Sequence, residues 1–290
     1  MKIVSPYTNE GAAWLRGNLH THTTLSDGPL DPQPTVDAYA EKGYDFLAVT
    51  DHDKLAEIGG LDPRGMTLIP GNEITADGPH LLHLNAGQLL APNPDRQTVV
   101  DEINRGGGLS VFCHPSWEAT FNHCPQEKLE QYQNYTGIEI FNGVTVWAEG
   151  NPYAVDRWDR LLSQGRQVWG FANDDPHFVE GFGVGWNVVQ TSDRSPGAIL
   201  EALRRGRFYA STGVAIERIA VDGATIELQT RDEAVINVFS NHAYRRKHVQ
   251  GTRIAFTVPE DADYDYVRFE CWGFGMQKAW TQPFFIARDA

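Results

Sequence analysis

Between about residues 14 and 212 the chain alternates short apolar runs with amphipathic segments, and the apolar runs end repeatedly in a histidine or an acid. LRGNLHTH leads into PQPTVDAYAEKG and then YDFLAVTDH. Further candidate strands follow in MTLIPGNEI, HLLHLNAG, GLSVFCHP, TGIEIFN and QVWGFANDD. Candidate helices lie near residues 94–105, 125–133, 153–164 and 196–205. Several of them open on a proline, which suits a first helical turn because the N–H it lacks has no intrahelical partner there. Strand-then-helix order of this kind predicts an α/β fold, either a barrel or an open parallel sheet. In a barrel the C-terminal strand ends share one rim, so polar residues far apart in sequence meet in one pocket.

The pattern changes after about residue 212. AIERIAVDG, ATIELQT, AVINVFSN, RIAFTVPE and YDYVRFECWG are short alternating runs broken by Gly, Asp and Asn, which is an all-β signature. We read a large domain over residues 1–212 and a small antiparallel β domain over 213–290, with the boundary near Gly213. The alternative is that these strands extend the first sheet.

Composition narrows the function classes. With 41% hydrophobic and 21% charged residues the chain resembles an ordinary soluble globular protein. No stretch approaches the roughly 20 apolar residues that span a bilayer. The N-terminus lacks the apolar run of a secretory signal, so a cytoplasmic location is expected. A net charge of −14 disfavours binding to extended nucleic acid, which needs basic surface. A pocket filled with divalent cations would nonetheless attract a small anionic substrate. Cys113, Cys124 and Cys271 form no C-x-x-C pair and read as free thiols. No segment specifies an oligomeric state.

The chemistry sits at the strand ends. His20 and His22 are two residues apart after an apolar strand, and extended backbone sends both rings to one face. Asp27 follows in a Ser-Asp-Gly turn, and FLAVT ends in Asp51-His52. Glu73 closes TLIPGNE, His83 interrupts LLHLNA, His114 follows LSVFC, and QVWGFAND leads into Asp175 and His177. Six of the ten histidines occupy such positions. A rim rich in His and Asp, without compensating Lys or Arg, is most economically a metal site. Asp51 and Asp174 fit either as partners of ligand histidines or as turn caps.

These residues carry a resemblance. HTHTTLSDG, VTDH, GNE, CHP and DPH match, in order and type, the motifs of the polymerase and histidinol phosphatase (PHP) family, over residues 17–177. The resemblance implies a distorted (βα)7 TIM-like barrel holding two or three divalent ions, usually zinc, manganese or iron. It implies that His20, His22, Glu73 and Asp175 hold the first ion, with Glu73 bridging to a second ion held by His83 and His114. Asp27, His52 and His177 would hold the third; some members have histidine at the Asp27 position. The tail, from GRFYASTG through YVRFECWGFGMQKAWTQPFFI, resembles the C-terminal extension of the carbaryl-hydrolase-like branch.

The expected function is therefore a metal-dependent hydrolase, a phosphoesterase acting on a small phosphate ester or nucleotide by attack of a metal-bridged hydroxide. Glu73 and Asp175 are the expected catalytic residues, with Asp51 a further candidate for the leaving-group acid. Two alternatives stand beside it: an aryl carbamate or carboxylic ester hydrolase using the same centre, and a metal-binding interaction protein without turnover. For the carbamate reading, Trp117, Phe121, Trp147, Phe178 and Phe182 could wall an aryl group. Lys54, Arg157 and Arg194 are candidate anion contacts, and His123-Cys124 reads as part of a loop over the site. No G-x-S-x-G, P-loop or G-x-G-x-x-G sequence supports another enzyme class.

Overall fold

The computed structural model describes residues 1–8, 13–275 and 277–288. It is a mixed α/β protein built on one large sheet, with five α-helices among the described residues. Strand β1 (Lys2–Val4) precedes β2 (Trp14–Asn18), helix α1 (Pro32–Glu41) and β3 (Phe46–Val49). Next come β4 (Thr67–Ile74), β5 (Leu81–Leu84), α2 (Arg96–Arg105) and β6 (Leu109–Phe112). They are followed by α3 (Gln126–Gln131), β7 (Gly137–Asn142), α4 (Val155–Ser163) and β8 (Trp169–Asn173). Then β9 (Trp186–Gln190), α5 (Pro196–Arg204) and β10 (Phe208–Ser211) lead into the C-terminal strands. Helix starts follow the sequence: prolines occupy the first turns of α1 and α5, and the Ser195 hydroxyl accepts from the Ala198 N–H.

The strands β9-β2-β3-β4-β5-β6-β7-β8 lie side by side in that order. Pairs β2–β3, β3–β4, β6–β7 and β7–β8 are parallel, but β4–β5, β5–β6 and β2–β9 are antiparallel. The reversal at β5 departs from a uniform parallel order for a simple reason. Only six residues separate β4 from β5, whereas a parallel crossover needs about a dozen or more. The same curled run brings β8 back towards β2 and β9, where side chains make the join. Asn187 bonds the Ala172 N–H and C=O, Asn173 accepts from the Leu19 N–H, and Asn18 accepts from the Asp174 N–H.

Strands β11 (Ile216–Asp222), β12 (Thr225–Ser240), β13 (Tyr244–Thr257), β14 (Tyr266–Trp272), β15 (Lys278–Thr281) and β16 (Phe284–Ala287) are antiparallel, as their alternation predicts. They are not separate from the first sheet: β10 pairs with β15, and β1 returns to pair with β16. Gly213 thus lies between strands of one continuous hydrogen-bonded path. Ile226, Ile236, Val238, Val267 and Phe269 of these strands pack in one buried cluster that also takes in Ile3 of β1, Val188 of β9 and Tyr209 of β10. Buried Arg268 ties β14 to α4, meeting the Asp159 carboxylate at 2.6 and 2.8 Å while Tyr266 donates to the same group.

Candidate metal centre

Just beyond the end of β2 the chain places His20 and His22, both fully buried. The chain then turns tightly through Ser26-Asp27-Gly28, and a Cβ on Gly28 would lie 2.2 Å from the His22 carbonyl carbon. Only glycine permits that approach. Asp51, at the end of β3, fastens this loop. Its two oxygens accept from the N–H and hydroxyl of both Thr23 and Ser26, so its role is architectural. Asp174 has a comparable task, accepting from the Gly183, Val184 and Gly185 N–H groups and from Tyr39. Burial pushes its carboxyl up to about 6 despite those donors.

Glu73, within β4 and without solvent exposure, is the centre of the arrangement. Its Oε2 lies 2.8 Å from His52 Nδ1, 3.3 Å from His20 Nε2 and 3.4 Å from His22 Nε2. Its Oε1 lies 3.0 Å from His80 Nδ1 and 3.3 Å from His114 Nε2. Asp175 Oδ1 stands 2.8 Å from His22 Nε2 and 3.3 Å from His20 Nε2. At the outer edge Asp27 lies 3.5 Å from His52 Nε2 and 3.3 Å from His177 Nε2. Two of these positions are held in left-handed backbone, His114 at φ 27° and Asp175 at φ 50°. Such conformations cost energy and persist where the surroundings enforce them.

Close approach here is not ordinary pairing. Glu73 Oε2, Asp175 Oδ1 and His52 Nδ1 are buried, near one another and without a well-directed hydrogen bond. Their lone pairs face shared space. Buried polar atoms normally find partners, so an unsatisfied set of imidazole nitrogens and carboxylate oxygens fits divalent metal ions. Three groups, His20–His22–Glu73, His52–Glu73–His80 and His22–His52–His177, each offer ligand atoms within 4.8 Å of one another.

The structure brings together eight of the nine expected ligands and leaves His83 out. On β5, His83 stands opposite Asn72 and Leu82 opposite Glu73, so alternation puts His83 on the face away from Glu73. There it is 4% exposed, and burial lowers its imidazole to about 4. His80, three residues earlier, takes the expected place beside Glu73. His123 also reaches the site: its Nε2 accepts from the His80 N–H at 3.0 Å, and Glu118 holds its Nδ1 at 2.8 Å. A further unforeseen residue is Glu139, the one acid inside β7. It is buried and takes His20 Nδ1 and Asn173 on one oxygen, the His114 N–H and Asn142 on the other. An acid in the apolar run GIEIFN was the available signal.

The charges are mutually supporting. Burial lowers His52 and His177, but hydrogen bonds to Asp27 outweigh it, helped at His52 by Glu73, and raise them to about 10 and about 8. Hydrogen bonds from His177 and His52 in turn hold Asp27 below the usual carboxylate range. Burial would raise Glu73, yet the neighbouring His20 and His80 keep it well below its ordinary value. A cavity of 360 Å³ opens above these groups, bounded by Asp27, His52, His114 and His177 and by an apolar wall of Trp117, Val144 and Ala148. Of the other aromatic candidates, Trp147 packs edge-on against Phe178 and is half exposed, Phe121 is exposed, and Phe182 is buried against Tyr39. The three candidate cations are engaged elsewhere. Arg157 donates to Ser116, Phe121, Asn122 and Cys124, Arg194 pairs with Asp45, and Lys54 donates to the Leu25 carbonyl.

No protein-family model matches the chain. It is similar over 99% of its length to a crystal structure from Bacteroides vulgatus, that of a two-domain protein containing a predicted PHP-like metal-dependent phosphoesterase. The TM-score is 0.57, the identity 20%, and 98% of that chain is covered, which is a likeness of fold. A 64-residue stretch is 41% identical to the 5'-3' exoribonuclease Rnm of Escherichia coli, covering 20% of this chain and 22% of that protein. A 44-residue stretch is 36% identical to the DNA polymerase/3'-5' exonuclease PolX of Bacillus subtilis, covering 15% of this chain and 8% of that protein. The match therefore spans less than a quarter of either relative. Among the described residues no helix is long and apolar enough to cross a membrane.

Proposed function

We propose that this chain is a metal-dependent phosphoesterase of the PHP type, acting on a small phosphate ester or nucleotide. In this reading the curled run β9-to-β8 is a distorted (βα)7-like barrel and residues 213–290 are a β domain attached to it. The observation that carries the proposal is Glu73, buried among five imidazoles with Oε2 unsatisfied.

The residues present would hold ions in three places. His20, His22, Glu73 and Asp175 form the first; Glu73, His80 and His114 the second, with His80 replacing His83; Asp27, His52 and His177 the third. Divalent ions at such sites supply Lewis acidity and lower the pKa of water towards neutrality. The chain's own contribution is orientation. Glu139 fixes the rings and backbone of His20 and His114, and Asp51 fixes the loop that carries Asp27. Trp117, Val144 and Ala148 give the cavity an apolar wall that would exclude water on that side. A third ligand group, able to engage a third phosphoryl oxygen, favours a phosphate ester over a carbamate. The carbaryl-hydrolase-like resemblance of the tail concerns the branch of the family and not the substrate.

The test is metal analysis combined with a screen of phosphomonoesters, phosphodiesters, nucleotides and aryl carbamates. Expected are bound zinc, manganese or iron and turnover of a phosphate ester that Glu73→Gln abolishes. Turnover of carbamates alone, or metal without turnover of any of these, overturns the phosphoesterase reading.

A further inference from the structure

A larger cavity, of 560 Å³, lies at the opposite ends of the strands from the metal centre. Trp169, the first residue of β8, and Thr136, just before β7, line it, while the last turn of α5 contributes Arg204 and the residues after it Arg205 and Arg207. The metal ligand Asp175 lies beyond the far end of β8, and the five residues of that strand span about 16 Å. The two places therefore do not share a wall.

The lining is chemically unlike the rest of the protein. The chain carries a net charge of −14, yet this cavity has three arginines and no carboxylate. Arg204 donates to the Gly107 carbonyl and shares Glu201 with Arg205. Arg207 differs: among the described residues its guanidinium has no hydrogen-bond or ion-pair partner. Gln167 on the same wall likewise has no side-chain partner among the described residues. Trp169, Tyr135 and Phe285 also border the cavity, the first two largely buried, with the Trp169 indole N–H donating to the Arg204 carbonyl. A planar guanidinium fork suits a phosphate, an amide suits the edge of a heterocycle, and aromatic walls suit its flat faces. The volume falls within the range of small-ligand sites, roughly 300–1,000 Å³.

We infer that this cavity is a second ligand site, distinct from the metal centre, for a small phosphorylated molecule bearing a planar ring, of nucleoside monophosphate size. Its phosphate meets Arg207 and its ring lies among Trp169, Tyr135 and Phe285. Because the cavity is also bounded by Val4 of β1 and by Phe285 of β16, a ligand there joins β1 and β16 to the base of the curled sheet.

The experiment is calorimetric titration of the full chain with adenosine 5'-monophosphate, inorganic phosphate and adenosine, with and without metal chelation. Adenosine monophosphate should bind in both conditions and more tightly than either fragment. Arg207→Ala should weaken it at least tenfold, Gln167→Ala about threefold, and Arg207→Lys should fall between wild type and Arg207→Ala, each variant being checked for an unchanged melting curve. Binding that survives Arg207→Ala but disappears on chelation belongs to the metal centre and overturns the inference, as does the absence of binding.

Discussion

Glu139→Gln offers the sharpest separation of a metal centre from a merely buried polar cluster. The wild-type carboxylate accepts four bonds, two on each oxygen, from His20, Asn173, the His114 backbone and Asn142. Glutamine matches the shape but turns one oxygen into an amide nitrogen, so whichever way it rotates two donors face a donor. Hydrogen bonds to a charged acceptor contribute roughly 1.5–3 kcal/mol each, so the loss is about 3–6 kcal/mol in total. Part of it falls on metal binding, because His20 loses the partner that fixes its ring and basicity. Partners of this kind typically account for about a 10- to 100-fold change in affinity. The remainder falls on the metal-free protein, in which Asn173, the other donor on the same oxygen, also loses its acceptor, and should lower its Tm by roughly 5 °C. Competition titration against a calibrated chelator measures the first part and calorimetric melting of the stripped protein the second. Unchanged metal affinity together with a lowered Tm would refute the reasoning, since Glu139 would then support only the fold.

Other predictions concern different parts of the molecule. His80→Ala should release metal and reduce turnover at least 100-fold, whereas His83→Gln should retain both. His83 is held neutral to about 4 in the folded chain, below its ordinary 6.5. Its contribution to stability is thus full above about pH 6.5 and is lost as pH falls towards 4. Melting curves across that window should show the wild type losing stability relative to His83→Gln; parallel curves would contradict the assignment. At pH 7 the raised pKa values of His52 and His177 keep both protonated without metal, so filling the third group should release about two protons. Isothermal titration in buffers of different ionisation enthalpy counts them, and a count near zero would count against ligation there. Arg268→Met leaves Asp159 buried without its cation and should cost about 3–5 kcal/mol, most of it recovered when Asp159→Leu is added.

Much of the site was legible because its residues end apolar runs, and a strand's end is where a side chain can leave the core. Asp51 and Asp174 were visible but their tasks were not, since choosing between cap and partner requires knowing which N–H groups point at them. HLLHL offered two histidines, and only the register of β5 against β4 separates His80 from His83. Glu139 was hidden by its setting, because an acid in an apolar strand looks like an exception until four donors surround it. The antiparallel β5 was readable in principle from the short connection after Ile74. The contact between β10 and β15 was not, since it joins residues about 70 positions apart.

The join between β8 and β2 has a mechanical meaning. Elsewhere on the curled run a continuous ladder of backbone bonds links neighbours, but here Asn18, Asn173 and Asn187 do most of that work with side chains. His20 and His22 sit on one bank of this seam and Asp175 on the other. On the proposed ligation, an ion held by all three would be a clasp across this seam. Metal loading should then be felt as slowed amide exchange at Leu19, Ala172, Asp174 and Asp175, whose N–H groups cross the seam, before it is felt anywhere else in the sheet.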